Sequence, residues 1–245
     1  MKKFIKDLIY FFLKFLSFNE AVILMYHSVD NNEEYFNVTP EEFKKQMVFL
    51  KEHNYNVIKL SDLTGLFEQK KIKSNTVVIT FDDGYQDNFL NAFPILKELN
   101  LPATIFVPTS LINSELTTST GKSYKIVNEH ELKEMADNGL IELGSHCNRH
   151  VKLTTLTEAE IEQELSVSKN ILEKLLGKKV GLIAYPWGRY NSAVLKIASR
   201  YYSLACSIEK GRVAINANRL SLKRNSIDSS VSMTQFKGII KFGRI

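Results

Sequence analysis

Two adjacent carboxylates, Asp82 and Asp83, directly follow the apolar run Thr76-Val77-Val78-Ile79-Thr80-Phe81, and Gly84 comes next to turn the backbone. Neighbouring residues on a strand point to opposite sides, so the two acids need not share a task. One can bind a cation while the other stays free as a base whose basicity that cation tunes. An Asp-Asp-Gly turn alone is more often a loop device than a site. Corroboration comes from Ser145-His146-Cys147-Asn148-Arg149-His150, which follows a second strand-like run, Leu140 to Gly144. Two histidines four apart can face one point if the segment coils. With one carboxylate they make three ligands and leave positions for water and substrate, the donor set of a catalytic metal. Zinc is the first expectation, although two His and one Asp also accept other divalent ions. Cys147 is read as non-ligating, because a closed site using its thiolate would leave no room for chemistry.

Two more segments carry candidate chemistry. In Ile183-Ala184-Tyr185-Pro186-Trp187-Gly188, Pro and Gly fix a turn around an aromatic wall. The backbone N–H of Trp187 could meet an oxyanion as it develops during acyl transfer; an ordinary turn with a packed Trp fits the same residues. In Leu24-Met25-Tyr26-His27-Ser28, His27 ends an apolar run. Histidine can donate a proton near neutral pH, as expulsion of an amine requires, while a single His here otherwise packs or hydrogen-bonds.

All these residues sit at the ends of short β-branched runs that alternate with longer helical patterns. The runs predict strands over Ala21–Tyr26, Asn56–Lys59, Thr76–Phe81, Ala103–Val107, Leu140–Gly144, Val180–Tyr185, Ser203–Ser207 and near Leu220–Ile227. Helices are predicted from Thr39-Pro40-Glu41-Glu42, where Glu42 can close a capping box, and over Asp87–Leu99, Glu129–Asn138, Thr157–Leu176, Ser192–Tyr201 and Ser232–Ile240. Repeated β-then-α units imply parallel strands with helices outside. No Gly-rich phosphate loop appears, and the reactive side chains recur at the C-terminal ends of several strands, where barrel enzymes assemble their sites. The expected fold is a distorted (β/α) barrel of about seven parallel strands.

The composition is otherwise quiet. The chain has 245 residues, enough for one packed domain, and its net charge of +5 falls short of a nucleic-acid signature. Two cysteines, Cys147 and Cys206, make no disulfide framework. The expected organisation is an N-terminal amphipathic helix over residues 1–20 and a barrel over 21–245. On a helical wheel, Phe4, Ile5, Leu8, Phe11, Phe12, Phe15 and Leu16 gather on one side and Lys3, Lys6 and Lys14 on the other. Lys14 interrupts the run too early for a membrane span. The pattern is that of an interfacial helix, which places the protein at a membrane, on the cytoplasmic face or in the cell envelope; packing on the protein's own core is the rival reading.

The ordered set Thr80-Phe81-Asp82-Asp83-Gly84, Ser145-His146 with His150, and Tyr185-Pro186-Trp187-Gly188 resembles the polysaccharide deacetylases, a carbohydrate esterase family. The resemblance spans Ala21 to about Ile227. It implies a metal triad of Asp83, His146 and His150, a catalytic base at Asp82 and an oxyanion donor in the Trp187 N–H. The arginine and the C-terminal Leu-x-x-His that many members carry are missing. An early Tyr-His instead resembles the circularly permuted poly-N-acetylglucosamine deacetylase branch and implies His27 as the acid. Arg224 is the candidate to replace the missing arginine, with Arg189 its rival; His53 and His130 match nothing. The implied activity is removal of the N-acetyl group from an amino sugar, polymeric or lipid-linked. Hydrolysis of an O-acetyl ester or a non-sugar amide, or silent sugar binding, are the alternatives. Retention of a base beside a full ligand set argues against silence.

Overall fold

A computed structural model describes residues 19–243. The helix expected over residues 1–20 therefore lies almost wholly outside the described residues. In the main sheet of the described residues eight strands run parallel: β1 (Glu20–Tyr26), β2 (Asn56–Ile58), β3 (Thr76–Phe81), β4 (Ala103–Val107), β5 (Ile141–Ser145), β6 (Leu182–Ala184), β7 (Leu204–Cys206) and β8 (Asn225–Ser226). They fall where the eight β-branched runs predict strands. They follow the order β7-β6-β5-β4-β3-β1, with β2 beside the first half of β3 and β8 on the outer side of β1. Val213–Ala214 adds an antiparallel stub to the start of β1. The ring closes through the last segment, which touches both sheet edges: Leu222 bridges Cys206 of β7, and three residues on Asn225 pairs Leu24 of β1. The strand expected over Leu220–Ile227 is thus two short contacts, because one segment must step from one edge to the other.

Strand alternation sorts the core into an inside and an outside. Val22, Leu24 and Tyr26 of β1, with Val77, Ile79 and Phe81 of β3, face outward into the helices. Ala21, Ile23, Val78, Phe106, Ala184 and Cys206 face inward, where Leu60, Leu63 and Phe67 also pack. The outer layer comprises α1 (Pro40–Glu52), α3 (Phe93–Leu99), α4 (Glu129–Asp137), α5 (Glu158–Leu176), α6 (Ser192–Ala198) and α7 (Met233–Phe242), while α2 (Asp62–Glu68) sends Leu63 and Phe67 into the interior cluster. Helix α2 has no counterpart among the predicted helices; it is short and carries Gly65, a weak helix former.

Local chemistry explains the other differences. Thr39 caps α1 by accepting from the Glu42 N–H, but the Glu42 carboxylate turns to Lys45 at 2.8 Å and the reciprocal half of the capping box is missing. The helix expected over Asp87–Leu99 is a π-turn, Asn88–Ala92, followed by α3. Pro94 has no N–H to continue the ladder, which accounts for the wider turn before it. Helix α5 begins with a complete capping box between Thr157 and Glu160 and ends at Gly177, which adopts φ +63°. An unforeseen hairpin, Glu115–Thr117 with Ser123–Lys125, rises between β4 and α4. Each of its strands has three residues with one apolar side chain, Leu116 or Tyr124, too short a run to mark a strand.

Candidate active site

Strand β3 delivers its two acids in opposite directions. Val78, Thr80 and Asp82 share the inward parity, so Asp82 continues the interior face of the barrel. Its N–H donates to Tyr26 O at 2.9 Å, which carries the β1–β3 pairing one step past the strand. Asp83 then adopts φ +68° and Gly84 φ +64°, and this left-handed turn swings the second carboxylate toward β5.

The loop after β5 brings the histidines to it. His146 Nε2 lies 3.3 Å and His150 Nε2 3.2 Å from the same oxygen, Asp83 Oδ1. The three candidate ligand atoms all fall within 4.8 Å of one another. His146 Nδ1 sits 2.8 Å from Ala184 O at the end of β6, which assigns the proton to Nδ1 and leaves the Nε2 lone pair facing a carboxylate. Two electron-rich atoms converge only around a proton or a cation, so the donor set fits a divalent metal. Cys147 and His150 adopt φ +63° and +52°, backbone that L residues seldom take, and it is this coil that brings His150 back to His146. Cys147 itself is buried in the apolar cluster of β6, α5 and α6.

The coil is braced from α5. Glu164, almost fully buried, accepts from the Asn148 N–H at 3.0 Å and the Arg149 N–H at 2.8 Å, and also receives the Arg149 Nε–H. From the other side, the Thr109 N–H donates to Cys147 O and the Ser110 N–H to Asn148 O. Glu164 was absent from the sequence-derived candidates. Its signal was there: Ile161, Glu164, Leu165, Ser168 and Leu172 form the buried face of α5, and an acid within such a stripe requires a partner.

Arg224, the largest fully buried side chain, clamps Asp82. Its Nη1 donates to Oδ1 at 2.6 Å and its Nη2 to Oδ2 at 2.7 Å, while Nε donates to Ser207 O at 2.9 Å. Arg189, its rival, is exposed on the Trp187 turn. Burial pushes the Asp82 carboxyl up, but the charge of Arg224, then that of His146, outweigh it and hold the group below the ordinary carboxylate range. Asp83 behaves likewise: burial raises it, and His146 and His150, which donate to it when their Nε2 atoms carry a proton in place of a cation, pull it well below. Asp82 and Asp83 thus both remain ionised, with separate partners.

A cavity of about 370 Å³ opens over these groups, lined by His27, Asp82, Asp83, His146, His150 and Trp187 among others. His27 Nδ1 is buried without a hydrogen-bond partner. Its backbone is held from the π-turn, where Asn88 Nδ2 donates to His27 O at 2.8 Å and Asp87 accepts from Ser28 Oγ and the Val29 N–H. Burial lifts Asp87 to about 6 against these hydrogen bonds. Trp187 takes a left-handed φ of +54°, and its half-exposed ring lies 4.4 Å from the His150 ring. Gly188 follows because a Cβ there would stand 2.7 Å from the Ile208 backbone nitrogen. His53 and His130 are surface residues away from the cavity, in keeping with their lack of a motif. Unforeseen in the wall are Tyr35, Phe36 and Tyr85, with Leu116 to Ser119 of the hairpin.

Known proteins resemble this chain in sequence and in fold. The polysaccharide deacetylase family matches residues 69–202, more than half the chain. YxkH of Bacillus subtilis, assigned to the polysaccharide deacetylases, is 31% identical over 89% of this chain and 75% of its own. The poly-β-1,6-N-acetyl-D-glucosamine N-deacetylase of Staphylococcus aureus is 31% identical over 84% of this chain and 78% of its own. Among solved structures, the deacetylase PplD of Streptococcus pyogenes, in complex with acetate, superposes with a TM-score of 0.80 at 27% identity, covering 92% of this chain and 99% of that one. Barrel, donor cluster and relatives lead to one conclusion: the chain belongs to the polysaccharide deacetylase family and is a metal-dependent hydrolase of that type.

Proposed function

We propose that this protein removes N-acetyl groups from the amino sugars of a poly-N-acetylglucosamine-like polymer or lipid-linked glycan at the cell envelope, with zinc held by Asp83, His146 and His150. The observation that carries this reading is a three-donor cluster beside a separately clamped, ionised carboxylate in one cavity. The Staphylococcus aureus relative, named for a β-1,6-linked N-acetylglucosamine polymer, supports the substrate class.

The cation, when bound, supplies Lewis acidity that lowers the pKa of water and polarises an acyl oxygen. Asp82 takes the proton of the attacking water. Each of its oxygens is engaged by Arg224 yet keeps a second lone pair, so it can accept that proton while the guanidinium fixes its direction. The Trp187 N–H, in its left-handed turn, donates to the oxyanion that forms at the acetyl carbonyl. As the C–N bond breaks, His27 gives its proton to the departing amine; the acetyl carbon keeps the water oxygen and leaves as acetate. The sugar is left with a free amine.

The test is acetate release from β-1,6-linked N-acetylglucosamine oligomers, before and after removal of metal by dipicolinate. Activity that disappears on chelation and returns with zinc is expected. Zinc-loaded protein that cleaves only O-acetyl esters would overturn the amide reading.

A further inference from the structure

Two segments outside the barrel, residues 30–37 and the hairpin 115–125, complete the cavity wall, and one buried acid joins them. Glu34 is 4% exposed although it lies in a surface loop. Its Oε1 accepts from Thr120 Oγ1 at 2.8 Å and from the Tyr124 hydroxyl at 3.1 Å, with Lys122 Nζ at 3.9 Å. All three partners belong to the hairpin, and nothing in the proposed chemistry uses Glu34. The flanking residue Phe36 stacks on Tyr85 with ring centroids 5.6 Å apart and meets the Tyr124 ring edge-on. Tyr35, between them, is 73% exposed at the cavity mouth, where Thr117, Thr118 and Ser119 of the hairpin also stand.

A carboxylate this buried is costly unless its hydrogen bonds are made, so its burial ties the two segments to one another. Apart from the packing of Leu116 and Tyr124 on the core, the hairpin is a two-stranded ribbon, which is marginal in water on its own. We infer that Glu34 is a positioning residue: it latches the hairpin to the Tyr35–Phe36 segment, so that an exposed aromatic ring and a row of hydroxyls form one rim that holds glycan beyond the sugar being deacetylated. An aromatic face suits the apolar face of a pyranose and hydroxyls suit its rim. This rests on the proposed sugar substrate. It predicts that the latch governs binding of a chain of sugars and leaves the metal, Asp82 and His27 undisturbed.

The experiment compares wild type with E34A, E34Q and the double variant T120V/Y124F, all metal-loaded. Three readouts are taken: KM and kcat on N-acetylglucosamine oligomers, hydrolysis of a small acetyl ester, and hydrogen exchange across residues 115–125. E34A and T120V/Y124F should each raise KM about five- to tenfold with kcat within twofold, and speed hairpin exchange, while the small ester is turned over as before. E34Q keeps an oxygen that can accept from both hydroxyls, so it should stay near wild type. Unchanged KM or unchanged hairpin exchange in T120V/Y124F, whose substitutions remove the two hydroxyls and keep the Tyr124 ring on the core, would overturn the latch. A wild-type protein inactive on every N-acetylated oligomer would instead refute the substrate reading, and the exchange comparison would still decide the latch.

Discussion

Asp82 and Asp83 are adjacent in sequence, and substitution tests the separate duties proposed for them. Asp82→Asn should keep its metal and lose about 10²- to 10⁴-fold in turnover, since the amide cannot take the water's proton. Metal content by mass spectrometry beside acetate release checks this, and normal turnover would reassign the base. Arg224→Met strands the Asp82 charge inside the barrel and should cost about 3–5 kcal/mol in urea unfolding, because breaking a buried pair leaves one ion uncompensated. It should also move the acid limb of the pH–rate profile upward, since burial alone raises the carboxyl. Because Asp82 is held below its ordinary value of 3.8 in the fold, the unfolded chain binds more protons in acid. The pair's stabilisation is therefore complete above that value and drains away as pH falls through the folded one. The acids and histidines were legible because strand ends and spacing announce them. Arg224 could be only a candidate: its partner lies 142 residues away, and no local pattern points across that distance.

At the scale of elements, barrel strands were readable because interior and exterior faces are both apolar, so each appears as a continuous β-branched run. The hairpin and α2 were not, since neither has a strong period of its own and both take their place from tertiary contacts. The coil between β5 and α5 depends on such contacts too. Glu164→Ala removes the acceptor for two backbone N–H groups and should weaken metal binding about 10- to 100-fold by letting His150 drift, while the Asp82–Arg224 pair stays whole. Competition with a chelating dye measures this directly. Glu164→Gln, which keeps one acceptor oxygen, should lie between the two. Equal metal affinity in Glu164→Ala and wild type would show that the strained backbone holds itself.

For the whole molecule, the proposed place at the envelope turns on residues 1–18, whose sequence, read as a helix, would set apolar residues opposite lysines in the pattern that suits anionic lipid. A protein lacking them should no longer sediment with anionic vesicles yet should hydrolyse a small soluble substrate as before, with an unchanged melting temperature. A large drop in melting temperature, with no vesicle binding by the full chain, would refute membrane attachment. The closing segment 219–227 has a consequence for how the chain is made. Synthesis proceeds from the N-terminus, so Asp82 is exposed on the ribosome long before Arg224 emerges to neutralise it. Until then, burying that carboxylate inside a half-built barrel is unfavourable, and the site cannot settle around an ionised base. A chain cut before Arg224 should consequently be hydrolytically silent rather than weakly active, because the guanidinium that clamps Asp82 arrives only after β1 to β7 have been made.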